Sequence, residues 1–200
     1  MLLISCDLSQ AAADPLGEDQ AGYALAELGP AAMPSGMAGL CARDPGFCAP
    51  SPHHRSAFVL SPEGWQLLSR INDSVNHAVA STTDRALYGK DEYWTIPTTA
   101  GDCEDYVLLK RQLLMKQGMA EASLLITVVH DENGEGHAVL TVPTADGDLV
   151  LDNRRDAILH WWETGYSFIK RQSADSPGEW VSLGDEKLPS TDIASGPGLP

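Results

Sequence analysis

The chain is 200 residues long, a single-domain length, and its 43% hydrophobic share is enough to bury a sizeable core. A net charge of −15 argues against a nucleic-acid partner, because gripping phosphates calls for clustered Lys and Arg; it suits attraction of hard cations such as calcium. No apolar run approaches the roughly 20 residues that cross a bilayer, so no transmembrane segment is expected.

The N-terminus admits two readings. Met1-Leu-Leu-Ile-Ser-Cys6 lacks the basic region and full apolar stretch of a signal peptide. Leu3-Ile4-Ser5-Cys6 resembles a bacterial lipobox, with Cys6 as the lipid acceptor, whereas the plainer reading is a short disordered leader. Residues 1–55 are rich in Ala, Gly and Pro and are expected to be mostly irregular, with one short helix around Gln20–Leu28. Cys41 and Cys48 bracket a turn at Pro45-Gly46, a geometry that fits a small disulfide loop. Their separation is wider than the two to four residues usual for a zinc pair, and a lasting disulfide implies an exported, periplasmic or otherwise non-cytosolic protein.

Ser61-Pro62 is a helix start, Ser as N-cap and Pro at the first helical position. Leu68, Ile71, Val75 and Ala78 or Val79 then recur at helical spacing to about Ser81. Asn72 and Asn76, one turn apart, either bond a neighbouring loop or face solvent. A second helix opens at Gly101-Asp-Cys-Glu-Asp105 and runs to Gly118 as its C′ glycine; its dense apolar positions mark it as central. Strands follow at Leu124–His130 and His137–Val142, joined through Asn133-Gly134, a strong hairpin signal, then at Asp148–Asp152, Tyr166–Gln172 and Trp180–Leu183. The order predicts an α+β domain over 56–184, its cysteine-bearing central helix packed on an antiparallel sheet, followed by a flexible tail over 185–200.

A cysteine nucleophile needs a lowered thiol pKa, a base within reach and a group that fixes the base's tautomer. With Asp102 as N-cap, Cys103 is the first helical residue, where free backbone N–H groups and the helix dipole favour a thiolate and can receive an oxyanion. Asp102, Glu104 and Asp105 work against this, since carboxylates beside a thiolate raise its pKa. Either they point away, as helix caps, or a cation such as calcium neutralises them. The alternative for Cys103 is a buried structural thiol, which so polar a surrounding argues against.

His137 opens a strand and Asp152 closes the next. A tight turn at Asp146-Gly147 sets Thr141 opposite Asp152 and leaves His137 about 13 Å away, in which case Asp156 becomes the rival orienter. If Pro143 ends the strand and a wider loop follows, Val139 faces Asp152 and His137 is its diagonal neighbour at about 7–8 Å between backbones. His53-His54 sits in a polar loop and reads as solvated, His77 and His160 lack cysteine or carboxylate partners at ligand spacing, and Asp131-x-Asn133-Gly134-Glu135 reads better as a turn than as a calcium loop.

Asp91-x-x-Trp94-x-x-Pro97, Gly101-Asp-Cys-Glu-Asp-Tyr106 with Lys110, Gly136-His-Ala-Val139 and Leu151-Asp-Asn153 together resemble the bacterial transglutaminase-like cysteine proteinases, from about Trp65 to Leu183. The resemblance implies a papain-like core and a triad of Cys103, His137 and Asp152. It also implies calcium held by acids flanking the cysteine, here Asp102, Glu104 and Asp105. Trp94 is either core or, as related transglutaminase folds suggest, an oxyanion donor through its indole N–H. Characterised members include a periplasmic calcium-dependent protease that trims surface adhesins under control of a membrane cyclic-di-GMP receptor, so a protein substrate and a regulatory membrane partner are implied. Three functions share these residues: a peptidase, a protein-glutamine acyl transferase in which an amine replaces water, and a binding module that has lost turnover. The full triad favours chemistry over binding, and the peptidase is the leading expectation.

Overall fold

The computed structural model describes residues 24–49 and 58–184. Ser61 accepts from the Gly64 N–H at 3.1 Å and Pro62 opens helix α2, Pro62–Ala78, as its cap residues dictate. Helix α4, Cys103–Lys116, ends against Gly118, whose φ of +91° supplies the left-handed turn that closes a helix. The other helices are α1, Ser35–Arg43, and the short α3, Asp84–Tyr88, which is flanked by two small strands, β2 (Ala80–Ser81) and β3 (Ala100–Gly101), that pair in parallel.

Including β1, Gly29–Ala31, seven strands form one antiparallel sheet: β4 (Leu125–His130), β5 (Gly136–Thr144), β6 (Gly147–Leu151), β7 (Leu159–His160), β8 (Ser167–Gln172) and β9 (Trp180–Ser182), in the order β1-β9-β8-β4-β5-β6-β7. Alternation sorts its residues to two faces. Ile126, Val128, Ala138, Leu140, Val142, Leu149 and Leu151 meet Leu68 of α2, Val107, Leu108 and Leu114 of α4, and Met37 and Leu40 of α1 in the main core. Val129, Val139, Val150, Tyr166 and Phe168 form a second cluster on the opposite face. At about 25 cal/mol per Å² of apolar surface, burying each large side chain of the main core contributes roughly 1.5–3 kcal/mol, which is what holds α4 to the sheet.

The hairpin at Asn133-Gly134 forms as its turn residues require: Gly134 has a φ of +81°, and the Asp131 carboxylate accepts from the N–H groups of Asn133 and Glu135. The next turn differs from both expectations. It is tight, but built on Ala145 and Asp146, with Thr144 opposite Gly147, and β5 runs through Pro143. Pro143 is tolerated because its carbonyl accepts from the Phe58 N–H, which puts the missing N–H on the side away from β6, beyond where β4 ends. Leu140 then pairs with Leu151, so Val139 falls opposite Asp152.

The segment expected to be mostly irregular is more ordered than its composition suggests. β1 adds an edge strand against β9, and Met37 and Leu40 of α1 are core residues. Its Gly and Pro residues hide these elements, because each lowers helix propensity and tertiary packing restores the order. Ala24–Leu28 carries no helix; Gln20 to Tyr23, Cys6, His53-His54 and the expected tail 185–200 lie outside the described residues. Cys41 and Cys48 are joined, their Cα atoms 5.7 Å apart. Among the described residues no helix is long and apolar enough to cross a membrane.

Candidate active site

His137 and Asp152 meet across the register just described. The Nε2 of His137 lies 2.8 Å from Oδ1 of Asp152, with both side chains out of solvent. Asp152 also accepts from the Tyr166 hydroxyl at 2.6 Å and the Arg154 N–H at 3.0 Å. Burial alone pushes the Asp152 carboxyl up; the bonds from His137, Tyr166 and Arg154 outweigh it and hold the group well below the usual carboxylate range. An ionised carboxylate only accepts, so Nε2 carries the hydrogen and Nδ1 is left as the basic nitrogen, buried and without a protein partner. The Tyr166 ring meets the imidazole edge-on at 5.8 Å and fixes its plane.

The loop bearing Asp152 is held from below by α2. Asn76 Nδ2 donates to the Asp152 carbonyl at 3.0 Å, and Asn72 Nδ2 donates to the Asp156 carbonyl at 3.0 Å. Of the two readings given to these asparagines, bonding a loop is the one found. Asp156, the rival orienter, is exposed and accepts from Asn76 instead.

Cys103 is the first residue of α4, and its thiol lies against the backbone N–H of Ala138, next to His137. It is the free cysteine of the described residues. Burial pushes the thiol well up, the charges of Glu104 and Asp102 push it further, and the Ala138 N–H opposes them; Sγ donates to Glu104 Oε2 at 3.2 Å. Glu104 and Asp102 therefore do not point away from the sulfur.

Of the three acids expected to hold a cation, the structure brings together two. Asp102, Glu104 and Asp84 offer oxygens within 4.8 Å of one another, and all three are buried. Asp105 stands beside them outside this group; its Oδ1 accepts from the Thr95 N–H at 2.8 Å, and its Oδ2 is buried with no protein donor. Asp102 occupies the N-cap position without capping its own helix; its Oδ2 accepts from the Asp84 N–H at 3.1 Å. Burial and the Asp102 charge raise Asp84 to about 6, burial with the charges of Asp102 and Asp84 raises Asp105 to about 8, and burial with Asp102 and Glu92 raises Glu104 well above its ordinary value. Oδ1 of Asp84 is buried with no protein donor. Packed carboxylates that resist ionisation, Asp84 and Asp105 each with an orphaned oxygen, fit an oxygen-seeking divalent cation such as calcium.

Trp94 belongs to the core. Its ring is fully buried and its indole N–H donates to Glu92 Oε2 at 2.9 Å, so this geometry does not offer that N–H to an oxyanion. Sequence reasoning missed Asp84, 18 positions before Asp102 and visible only after folding. It also missed Tyr166, whose hydroxyl no motif flags. His77, set aside for want of partners, lies with Asp73 and Asp156 in an exposed group, where its Nδ1 meets the Asp73 carbonyl at 2.8 Å.

Lys110, two turns into α4, is wholly buried and its Nζ has no protein partner. Burial lowers its pKa to about 7 against the pull of Asp152 and Asp156. The unfolded chain keeps it charged up to about pH 10.4, so unfolding takes up a proton above pH 7 and stability rises as pH climbs from about 7 to 10. Lys110→Met removes that penalty and is expected to stabilise the fold by roughly 1–3 kcal/mol at pH 7, with less gain at pH 10. Urea unfolding at both pH values checks this; a destabilised variant at pH 7 contradicts it.

A family model of the bacterial transglutaminase-like cysteine proteinases matches residues 27–188. No curated protein matches. Among solved structures, Legionella pneumophila LapG superposes with a TM-score of 0.51 at 27% identity, over 62% of this chain and 71% of that one. Its calcium-bound form gives 0.51 at 25% identity over 68% and 78%, and its EGTA-treated form 0.50 at 26% over 58% and 66%. The chain belongs to the family of bacterial transglutaminase-like cysteine proteinases.

Proposed function

We propose that this cysteine protease hydrolyses peptide bonds of a protein substrate with Cys103 as nucleophile, His137 as general base and Asp152 as its orienter. The observation that carries the reading is the buried 2.8 Å contact between His137 Nε2 and Asp152 Oδ1, which leaves Nδ1 basic beside the strand position that Cys103 approaches. Cys103 Sγ gives its proton to Nδ1 and forms a C–S bond to the scissile carbonyl carbon. The backbone N–H groups at the start of α4 receive the oxyanion. The C–N bond then breaks as Nδ1 returns its proton to the leaving amine. Water, deprotonated by the same Nδ1, adds to the thioester; the C–S bond breaks, releasing the acid and restoring the thiol.

A divalent cation, calcium by the preference of its ligands, belongs to the same proposal, with Asp84, Asp102 and Glu104 as its protein ligands. When bound it supplies positive charge that offsets the carboxylates around the sulfur. LapG, solved with calcium, supports the choice of ion. The disulfide supports an exported location, and the catalytic unit in this reading extends beyond 56–184 to include β1 and α1.

The test is mass spectrometry of surface and secreted proteins from the host, wild type beside a deletion strain, repeated in H₂¹⁸O with a fluorescent primary amine added. New protein termini carrying ¹⁸O, present only with the enzyme, are expected. Amine incorporated into intact proteins without new termini identifies a transferase instead.

A further inference from the structure

The stretch 91–99 carries the backbone that faces the acid cluster, yet it contains no helix or strand. Ordering each such residue costs roughly 1–2 kcal/mol, so side-chain bonds must hold it. On its inner side the Tyr93 N–H donates to Asp84 and the Thr95 N–H to Asp105. Arg85 pairs with Asp91, Lys90 Nζ stands 4.0 Å from the centre of the Tyr93 ring, and Arg43 reaches both the Tyr93 ring and the backbone. Arg43 Nη2 donates to the Trp94 carbonyl at 2.6 Å, and its guanidinium carbon sits 4.0 Å from the centre of the Tyr93 ring.

Arg43 ends α1, inside the loop that Cys41 and Cys48 close, with a short 3₁₀ turn at Pro45–Phe47 between. The same helix is pressed on the stretch at Gly36, where a Cβ would stand 2.2 Å from the Trp94 ring. The disulfide thus fixes the helix end from which Arg43 reaches across.

The geometry points to Arg43, presented by the Cys41–Cys48 loop, as the positioning residue that sets the Tyr93–Thr95 backbone against Asp84 and so tunes cation affinity at the cluster. This inference rests on the cation reading above. It acts through shape and against charge: a guanidinium near Asp84 repels a second cation, but Arg43 is largely exposed, where water and salt weaken that repulsion. The hydrogen bond and ring contact are local and are not weakened in the same way.

Titration calorimetry of the full chain with calcium chloride, on variants whose melting shows an intact fold, separates these effects. Arg43→Ala, Arg43→Lys and the Cys41→Ser/Cys48→Ser pair are each expected to weaken calcium binding about fivefold, within the range of coupling through packed contacts. Lysine keeps the charge but loses the planar fork, so weakening by Arg43→Lys is the signature of positioning. Wild-type affinity in all three variants overturns the inference while leaving the cation site standing. Tighter binding by Arg43→Ala with Arg43→Lys unchanged overturns it in favour of simple repulsion. Absence of calcium binding by the wild-type chain overturns both this inference and the cation reading.

Discussion

Cys103→Ala and Cys103→Ser are each expected to lower turnover by roughly 10⁴-fold or more, with the fold retained. Losing a member of the proposed triad leaves only the catalysis that binding and oxyanion donors supply, and serine's hydroxyl is far harder to ionise than a thiol. The fold survives because Cys103 only borders the main core, while Val107, Leu108 and Leu114 anchor α4. His137→Ala is expected to match this loss. Asp152→Asn falls in the same direction, because an amide offers His137 Nε2 either acceptor or donor and no longer dictates the tautomer. Peptide-bond hydrolysis followed on a substrate identified by mass spectrometry, with circular dichroism as the control, measures all of these. Turnover within tenfold of wild type in either Cys103 variant contradicts the mechanism.

The second large effect is cation dependence. Without a cation, Cys103 donates to Glu104 and its thiol is held protonated by burial and by the Glu104 and Asp102 charges. A thiol with a raised pKa is a poor nucleophile at neutral pH. Chelation by EGTA is therefore expected to lower activity at least about tenfold, with calcium restoring it. Magnesium restores it poorly, because it demands a smaller, more regular shell. Asp84→Ala and Asp102→Ala should mimic chelation, whereas Asp105→Ala acts by loosening Thr95 and is expected to retain calcium binding at reduced affinity. Activity and calcium titration on the three variants distinguish ligand from neighbour; full activity of the Asp84 variant in EGTA removes the cation from the account.

What could be read in the chain beforehand was local. Ser61-Pro62, Gly118 and Asn133-Gly134 act through their own backbone geometry, so α2, the end of α4 and the β4–β5 hairpin were legible. The placement of Cys103 at a helix start was legible for the same reason. The register that joins His137 to Asp152 was not, because it depends on whether Pro143 meets a ladder partner, and Phe58 decides that from 85 positions away. Asp84 enters the cluster through the fold alone, and α1 takes its place by packing Met37 and Leu40, which only a weak periodicity announces in so Gly- and Ala-rich a stretch. Trp94 could be read either as core or as donor until Glu92 was seen to accept its N–H.

The central claim, that a cation-supported thiolate at Cys103 does the chemistry, is tested most directly by the rate at which iodoacetamide alkylates Cys103 across pH, in calcium and in EGTA. The account predicts fast, Cys103-selective labelling near neutral pH in calcium, with the rate profile shifted toward higher pH in EGTA because burial and the acid charges then hold the thiol protonated. Coincident profiles in the two conditions, with Cys103 labelled no faster near neutral pH than an ordinary thiol, contradict it.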